Sequence, residues 1–227
     1  MRSETTNIYL NQQGSTSSLK NNRLELRGLI ALLLLTNLGL LLGNTPASNL
    51  MFRQVAIAAG EWWRMLSWPF VHVSRYHLLL DATAFLLLYA GLQEVKPGRR
   101  VAYLLTTIFG SLLFPLLFSA EIAQLGLCGL SGPAHGLFAV RALELRGFGN
   151  GKRLGNLLLC GLVLKICWEL STGTSFLQQL HLGDVGHPIV TTHAGGVIGG
   201  VVCYLLHQRD KNHVPPAPQK EAYGKEI

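Results

Sequence analysis

The sequence predicts an all-α membrane protein built as a bundle of six transmembrane helices, and three observations predict it. Of its 227 residues, 49% are hydrophobic and only 14% charged, against about 25% charged in ordinary soluble domains. Six apolar stretches, at about 28–43, 76–92, 101–120, 130–146, 154–170 and 189–207, each approach the roughly 20 residues that a spanning helix needs. The basic residues between them sort by alternate loops.

Arg2, Lys20, Arg23 and Arg27 precede the first stretch, and Lys96, Arg99 and Arg100 separate the second from the third. Arg141, Arg146, Lys152 and Arg153 flank the link from fourth to fifth, and Arg209, Lys211, Lys220 and Lys225 follow the sixth. The opposite side receives Arg53, Arg64 and Arg75, with Lys165 inside the fifth stretch. The positive-inside rule therefore sets both termini in the cytoplasm of a multi-pass protein. A net charge of +7 scattered in this way forms no basic stripe with interleaved aromatics, so no nucleic-acid partner is expected.

The domain organisation follows from composition. Residues 1–22, rich in Ser, Thr, Asn and Gln, and residues 208–227, with Pro215, Pro216 and Pro218 among charges, are expected to be disordered cytoplasmic ends. Residues 23–207 form the membrane domain. The first apolar run begins too late for a cleavable leader and lacks a small-residue cleavage site, so it is read as a retained anchor. Cys128, Cys160, Cys167 and Cys203 form no CxxC pair and are read as small apolar fillers.

Between the first two stretches lies a loop, about 44–75, too aromatic for a solvated linker: Trp62-Trp63-Arg64-Met65-Leu66, then Trp68-Pro69-Phe70. Tryptophan rings and a snorkelling arginine suit the headgroup zone, whether as a plain aromatic belt or as something more. The second stretch opens with His77 and Asp81, four residues apart on one helical face. Two ionisable groups in a span rarely face lipid. They can pair locally, ligate a metal, or point hydrogen-bonding groups into a reaction centre; no HExxH or comparable spacing supports a metal, and none is expected. His72 and Asp184 are read as loop residues.

The fourth stretch begins Gly129-Leu130-Ser131-Gly132-Pro133-Ala134-His135-Gly136. A serine in the first turn of a helix sits beside backbone N–H groups that lack internal partners, where a developing oxyanion is stabilised, and Pro133 is tolerated there for the same reason. His135, one turn on, lies on the serine's side. In the sixth stretch His193 is followed at +3 and +7 by Gly196 and Gly200. With Gly132 and Gly136 offering a second GxxxG, and Gly129 counted with them as a helix-packing glycine, close backbone packing would bring imidazole and hydroxyl within general-base distance. Lys165 and Glu169, four apart, are read as a helical pair, and no inverted repeat of the transporter kind is visible.

Taken in order, Trp63-Arg64, His77-x-x-x-Asp81, Gly129-x-Ser131-Gly132 and His193-x-x-Gly196-x-x-x-Gly200 resemble the rhomboid family of intramembrane serine proteases, over about residues 50–205. The resemblance implies a rhomboid-like six-helix bundle with Ser131 as nucleophile, His193 as general base, and an oxyanion site made by the Ser131 N–H and the His77 side chain. It implies neither a metal nor an organic cofactor, and it makes the partners the lipid bilayer and transmembrane protein substrates. His135-Gly136 is similar to the rhombosortase branch, whose substrates carry a C-terminal Gly-Gly, apolar-helix, basic-tail anchor, and this implies a bacterial cytoplasmic (inner) membrane. One position departs from the family pattern: Asp81 stands where many rhomboids have an oxyanion-donating Asn. It is expected to support the site, either as a neutral acid or by orienting His77. The alternative is a catalytically inactive rhomboid-like protein that binds transmembrane clients.

Overall fold

The computed structural model describes residues 22–147, 149–176 and 182–212. Most of the two expected disordered ends lies outside those residues. Among the described residues there is no strand; Phe52 and Leu127 form an isolated antiparallel bridge. The helices are α1 (22–36), α2 (Leu38–Gly43), α3 (Gln54–Ala58), α4 (Arg64–Ser67), α5 (Arg75–Ala90), α6 (Pro97–Phe118), α7 (Glu121–Leu125), α8 (Ser131–Arg146), α9 (Lys152–Thr172) and α10 (Thr191–Asn212).

Boundaries shift from the hydropathy reading where polar residues begin or end a helix. Pro97 opens α6 at a first-turn position, so Arg99 and Arg100 are helical, and α10 continues past 207 to Asn212. The first apolar stretch breaks at Asn37. Its buried amide donates to the Leu33 and Phe70 carbonyls at 2.8 and 2.7 Å and accepts the His72 N–H at 3.0 Å, stitching the loop to the helix.

By length and composition, α6 and the run Gly149–Thr172 are each long and apolar enough to cross a membrane. The other candidates read less clearly for physical reasons. α5 and α8 have 16 residues each, α1 is broken, and α10 opens with polar residues and glycines.

Large apolar side chains face outward on several helices, while the interior holds small and polar residues beside a buried cluster that includes Phe85, Tyr89, Tyr103 and Leu137. On α6, Leu105, Phe109, Leu113 and Leu117 are exposed while Thr107 and Ser111 are fully buried. Water would penalise that inversion and hydrocarbon does not. α8 and α10 cross at the centre, α6 packs along α10, and α5 and α9 flank α8.

Glycine makes the crossing possible. A Cβ on Gly200 would lie 2.6 Å from the Gly136 carbonyl, and one on Gly132 would lie 2.6 Å from Ser111 Oγ. Gly196 abuts the Gly132 carbonyl, and Gly195 and Gly199 abut the backbone of α6 at Gly110 and Thr106. The sequence pattern pointed to the α8–α10 contact; the second smooth face of α10, against α6, is an addition.

At one end of the bundle Arg100 joins α6 to α1 through Glu25 at 2.8 Å and lies over the Tyr89 ring, 4.5 Å from its centroid. Glu144 caps the nearby turn, accepting the Gln93 and Glu94 N–H groups at 2.9 and 3.0 Å. The other end, under the loops, is closed by Phe52, Trp68, Leu112, Ile122, Leu127 and Ile189. That apolar plug backs the functional residues.

A methyl group separates these packing roles. Gly196→Ala should cost about 1–3 kcal/mol, because the added carbon meets a backbone carbonyl, whereas Gly161→Ala, with nothing near its Cβ, should be neutral or stabilising by up to about 1 kcal/mol. Reversible unfolding in mixed micelles measures both, and equal effects would contradict the packing described.

Candidate active site

The turn 126–130 delivers Ser131 to the start of α8. Gly129 has φ +96°, a conformation that a side chain resists, and a Cβ there would lie 2.8 Å from both Asp81 Oδ2 and His77 Nε2. Gly129 is therefore a turn residue rather than the helix-packing glycine expected from sequence, because it precedes the helix and faces α5.

Ser131 Oγ lies 3.2 Å from His193 Nε2, within hydrogen-bond reach. His193 is buried, at 5% exposure, and its Nδ1 lies 2.8 Å from Oε2 of Glu169, a carboxylate with no exposed surface. Glu169 Oε1 accepts from Lys165 Nζ at 2.5 Å and from the Phe176 N–H at 3.0 Å. The imidazole of His135 stacks on that of His193, centroids 4.1 Å apart and planes inclined by 19°. Its Nδ1 donates to the Ser131 carbonyl at 2.6 Å, which fixes the ring over its neighbour.

Asp81 engages the backbone beside the nucleophile. Its Oδ2 accepts the Leu130 N–H at 2.7 Å and the Ser131 N–H at 3.0 Å, and lies 3.1 Å from His77 Nε2. The groups that the family resemblance assigns to an oxyanion thus converge on an oxygen of the protein's own carboxylate, with the Leu130 N–H as an additional donor. His72, wholly buried, packs edge-on against His77 and sits 3.6 Å from the same oxygen. Burial pushes its imidazole below the ordinary range, against the opposing pull of the Asp81 carboxylate. Ser74 caps α5 by accepting the His77 N–H at 3.0 Å and donates to the Asp184 carbonyl, which joins the loop before α10 to α5.

These residues open onto a cavity of about 460 Å³ lined by Ser131, His135, His193, His77, Asp81 and Lys165, with loop residues from 51–53, 125–128 and 185–189 at its mouth. A serine beside a buried imidazole, in a pocket large enough for water and a peptide segment, is equipped for acyl transfer. His135, Glu169 and His193 also offer donor atoms within 4.8 Å of one another. Two of those atoms, His193 Nδ1 and Glu169 Oε2, already face each other, and His135 Nδ1 faces the Ser131 carbonyl, an arrangement that suits proton handling.

The structure brings Ser131, His193, His77, Asp81 and His135 into this one pocket. It sets Gly132, Gly136, Gly196 and Gly200 at the helix crossing just beneath. Sequence reasoning passed over two participants. From spacing alone Glu169 reads as the partner of Lys165, although paired charges in so apolar a helix are themselves a signal. His72 is a loop residue, as its position in the sequence predicts, but a buried one. Arg64, at the start of α4, is also buried, donating to the Ser48 and Met51 carbonyls at 2.7 and 2.9 Å and to Glu61, while Trp62 and Trp63 project outward at 64% and 52% exposure.

A family model described as Rhomboid domain matches residues 59–209, more than half of the chain and everything from α4 to the last turn of α10. No curated protein and no solved structure matches.

The turn at Gly129 is open to a direct check. Gly129→Ala should cost about 1–3 kcal/mol in backbone strain, besides pressing on Asp81 and His77. Thermal denaturation in detergent would read this loss, and an unchanged transition would contradict the turn geometry.

Proposed function

The chain belongs to the rhomboid family, and from that premise we propose that it is an intramembrane serine endopeptidase with a Ser131–His193 dyad. The observation that carries the proposal is the 3.2 Å approach of Ser131 Oγ to His193 Nε2 at the floor of a cavity. In this reading His193 removes the serine proton as Oγ attacks the substrate carbonyl, then returns a proton to the leaving amine. Water entering the cavity hydrolyses the acyl-enzyme.

The oxyanion takes the place now marked by Asp81 Oδ2, where the Leu130 and Ser131 N–H groups and His77 converge. Asp81 supports the site by holding these donors in register between turnovers, and it yields the position, or presents a neutral acid, when substrate arrives. His135 lines the cavity and steadies the His193 ring by stacking.

The membrane domain crosses the bilayer six times, through α1, α5, α6, α8, α9 and α10. Exposed leucines on α1, α6 and α9 support this count, as does the alternate sorting of Lys and Arg, which sets both termini in the cytoplasm. The substrates are transmembrane anchors of membrane-tethered or exported proteins. His135-Gly136 favours the rhombosortase branch, hence anchors of the Gly-Gly type in a bacterial cytoplasmic membrane. A helical peptide bond hides its carbonyl, so small residues that let the anchor unwind suit the site.

A second reading, an inactive relative that binds transmembrane clients, is favoured by one observation: the Asp81 carboxylate fills the anion position. A fluorophosphonate probe separates the two. Labelling should occur on Ser131, and Ser131→Ala and His193→Ala should each abolish both labelling and processing of an anchor while leaving the protein folded; processing retained in either variant would refute the dyad. Asp81→Asn should preserve cleavage, since an amide can donate to the oxyanion, whereas Asp81→Ala should lower it on the order of 10²-fold. Full activity in both would remove Asp81 from the mechanism.

A further inference from the structure

We propose that Glu169 is the positioning residue of the His193 base, so that the site works as a Ser131–His193–Glu169 series rather than a two-residue pair. This rests on the hydrolase reading above. The buried positions of α9 are Gly155, Leu162 and Glu169, spaced by seven on one seam, while Leu157, Leu164 and Trp168 face outward. A carboxylate with no exposed surface on such a helix is costly unless partnered. Its partners are divided between its two oxygens. Oε1 is committed to scaffold, taking Lys165 Nζ at 2.5 Å and the Phe176 N–H at 3.0 Å. Oε2 faces His193 Nδ1 at 2.8 Å.

The chemical consequence concerns where the imidazole proton sits. With its proton on Nδ1, pointed at Oε2, His193 presents a bare Nε2 to the Ser131 hydroxyl 3.2 Å away. As the Oγ–carbon bond forms, the serine proton moves to Nε2 and the carbonyl π pair goes to oxygen. As the C–N bond breaks, the imidazolium gives that proton to the leaving nitrogen. Glu169 stays ionised throughout and stabilises the transient cation. Neither His135 nor Asp81 fills this role, because the His135 Nδ1 is spent on the Ser131 carbonyl and Asp81 is bound to the turn.

The division of oxygens makes a sharp prediction for Glu169→Gln. Lys165 and the Phe176 N–H hold an amide oxygen at the Oε1 position, which turns the NH₂ toward Nδ1 and forces the imidazole proton onto Nε2, the wrong tautomer. Fluorophosphonate labelling of Ser131 and cleavage of a transmembrane anchor should both slow by about 10²- to 10⁴-fold, with partial recovery in Glu169→Asp.

The pH profile distinguishes positioning from mere packing. Facing His193 are His135 from α8 and Lys165 and Glu169 from α9, with His77 and Asp81 of α5 and His187 of the preceding loop lining the same cavity. Loss of the carboxylate destabilises the imidazolium, so the acid limb of residual labelling should move to lower pH in Glu169→Gln. Lys165→Met, which removes a competing cation, should move it to higher pH. A structural role moves neither limb. In the ¹⁵N-histidine-labelled wild-type protein, a hydrogen-bonded Nδ1 proton of His193 should resonate downfield, a readout independent of whether any variant folds.

Labelling of wild type with loss in Ser131→Ala, together with wild-type rates and an unmoved limb in Glu169→Gln, would overturn this proposal alone. If Glu169→Gln does not fold, an unmoved limb in Lys165→Met or the absence of the Nδ1 signal overturns it. Failure of wild type to label would overturn the hydrolase reading and this proposal with it.

Discussion

Everything at the site depends on how closely α10 can lie against α8. The serine begins one helix and the histidine stands at the start of the other, so their separation is set by backbones rather than by side-chain reach. Gly196 and Gly200 on α10 meet the carbonyls of Gly132 and Gly136 on α8, and the opposite face of α10 meets α6 through Gly110, Gly195 and Gly199. In lipid no hydrophobic force drives helices together, so close packing of small residues supplies the cohesion. The same contact that holds the bundle therefore fixes the Ser131–His193 distance, and a methyl group at the crossing disturbs both.

A second constraint is the accounting of charge in a low-dielectric interior. Among the described residues Asp81, Glu144 and Glu169 are buried carboxylates, and the two at the site are satisfied in different ways. Asp81 is held by two backbone N–H groups and flanked by imidazoles, whereas Glu169 has a lysine, a backbone N–H and an imidazole. Leaving a charge of either kind unpaired would cost several kcal/mol. These partners come from α5, α8, α9, α10 and the loop after α9, so the polar network ties the flanks to the central pair where apolar contact is sparse.

Much of this was legible in the sequence, and the failures have physical reasons. Ser131 at a helix start, His193 above a glycine face, and the inward His77–Asp81 pair could be read from spacing, because helical periodicity places such residues without knowledge of the fold. What periodicity cannot convey is which neighbour a face meets. Glu169 and Lys165 satisfy each other along one helix, so the pair looked complete, and the free oxygen that reaches His193 emerges only when α9 docks beside α10. Gly129 reads as one more glycine in a rich stretch, while its positive φ belongs to the turn. The break at Asn37 was hidden in a run of leucines, since the loop that bonds its side chain lies more than thirty residues on.

The two carboxylates also illuminate each other. An anion at the start of α8 is stabilised by the N–H groups and dipole of that helix, so the place occupied by Asp81 Oδ2 is favourable for any negative oxygen, including one created by attack on a carbonyl. The resident carboxylate lowers the energy of the resting site and must lose that stabilisation when a substrate oxygen takes over. Under the proposed hydrolase reading, turnover requires the substrate to bring more to the transition state than Asp81 brings to the ground state, through the Oγ bond and the contacts of an unwound anchor in the cavity. Such a site would be slow toward peptides that merely diffuse in and selective for helices that can supply the difference.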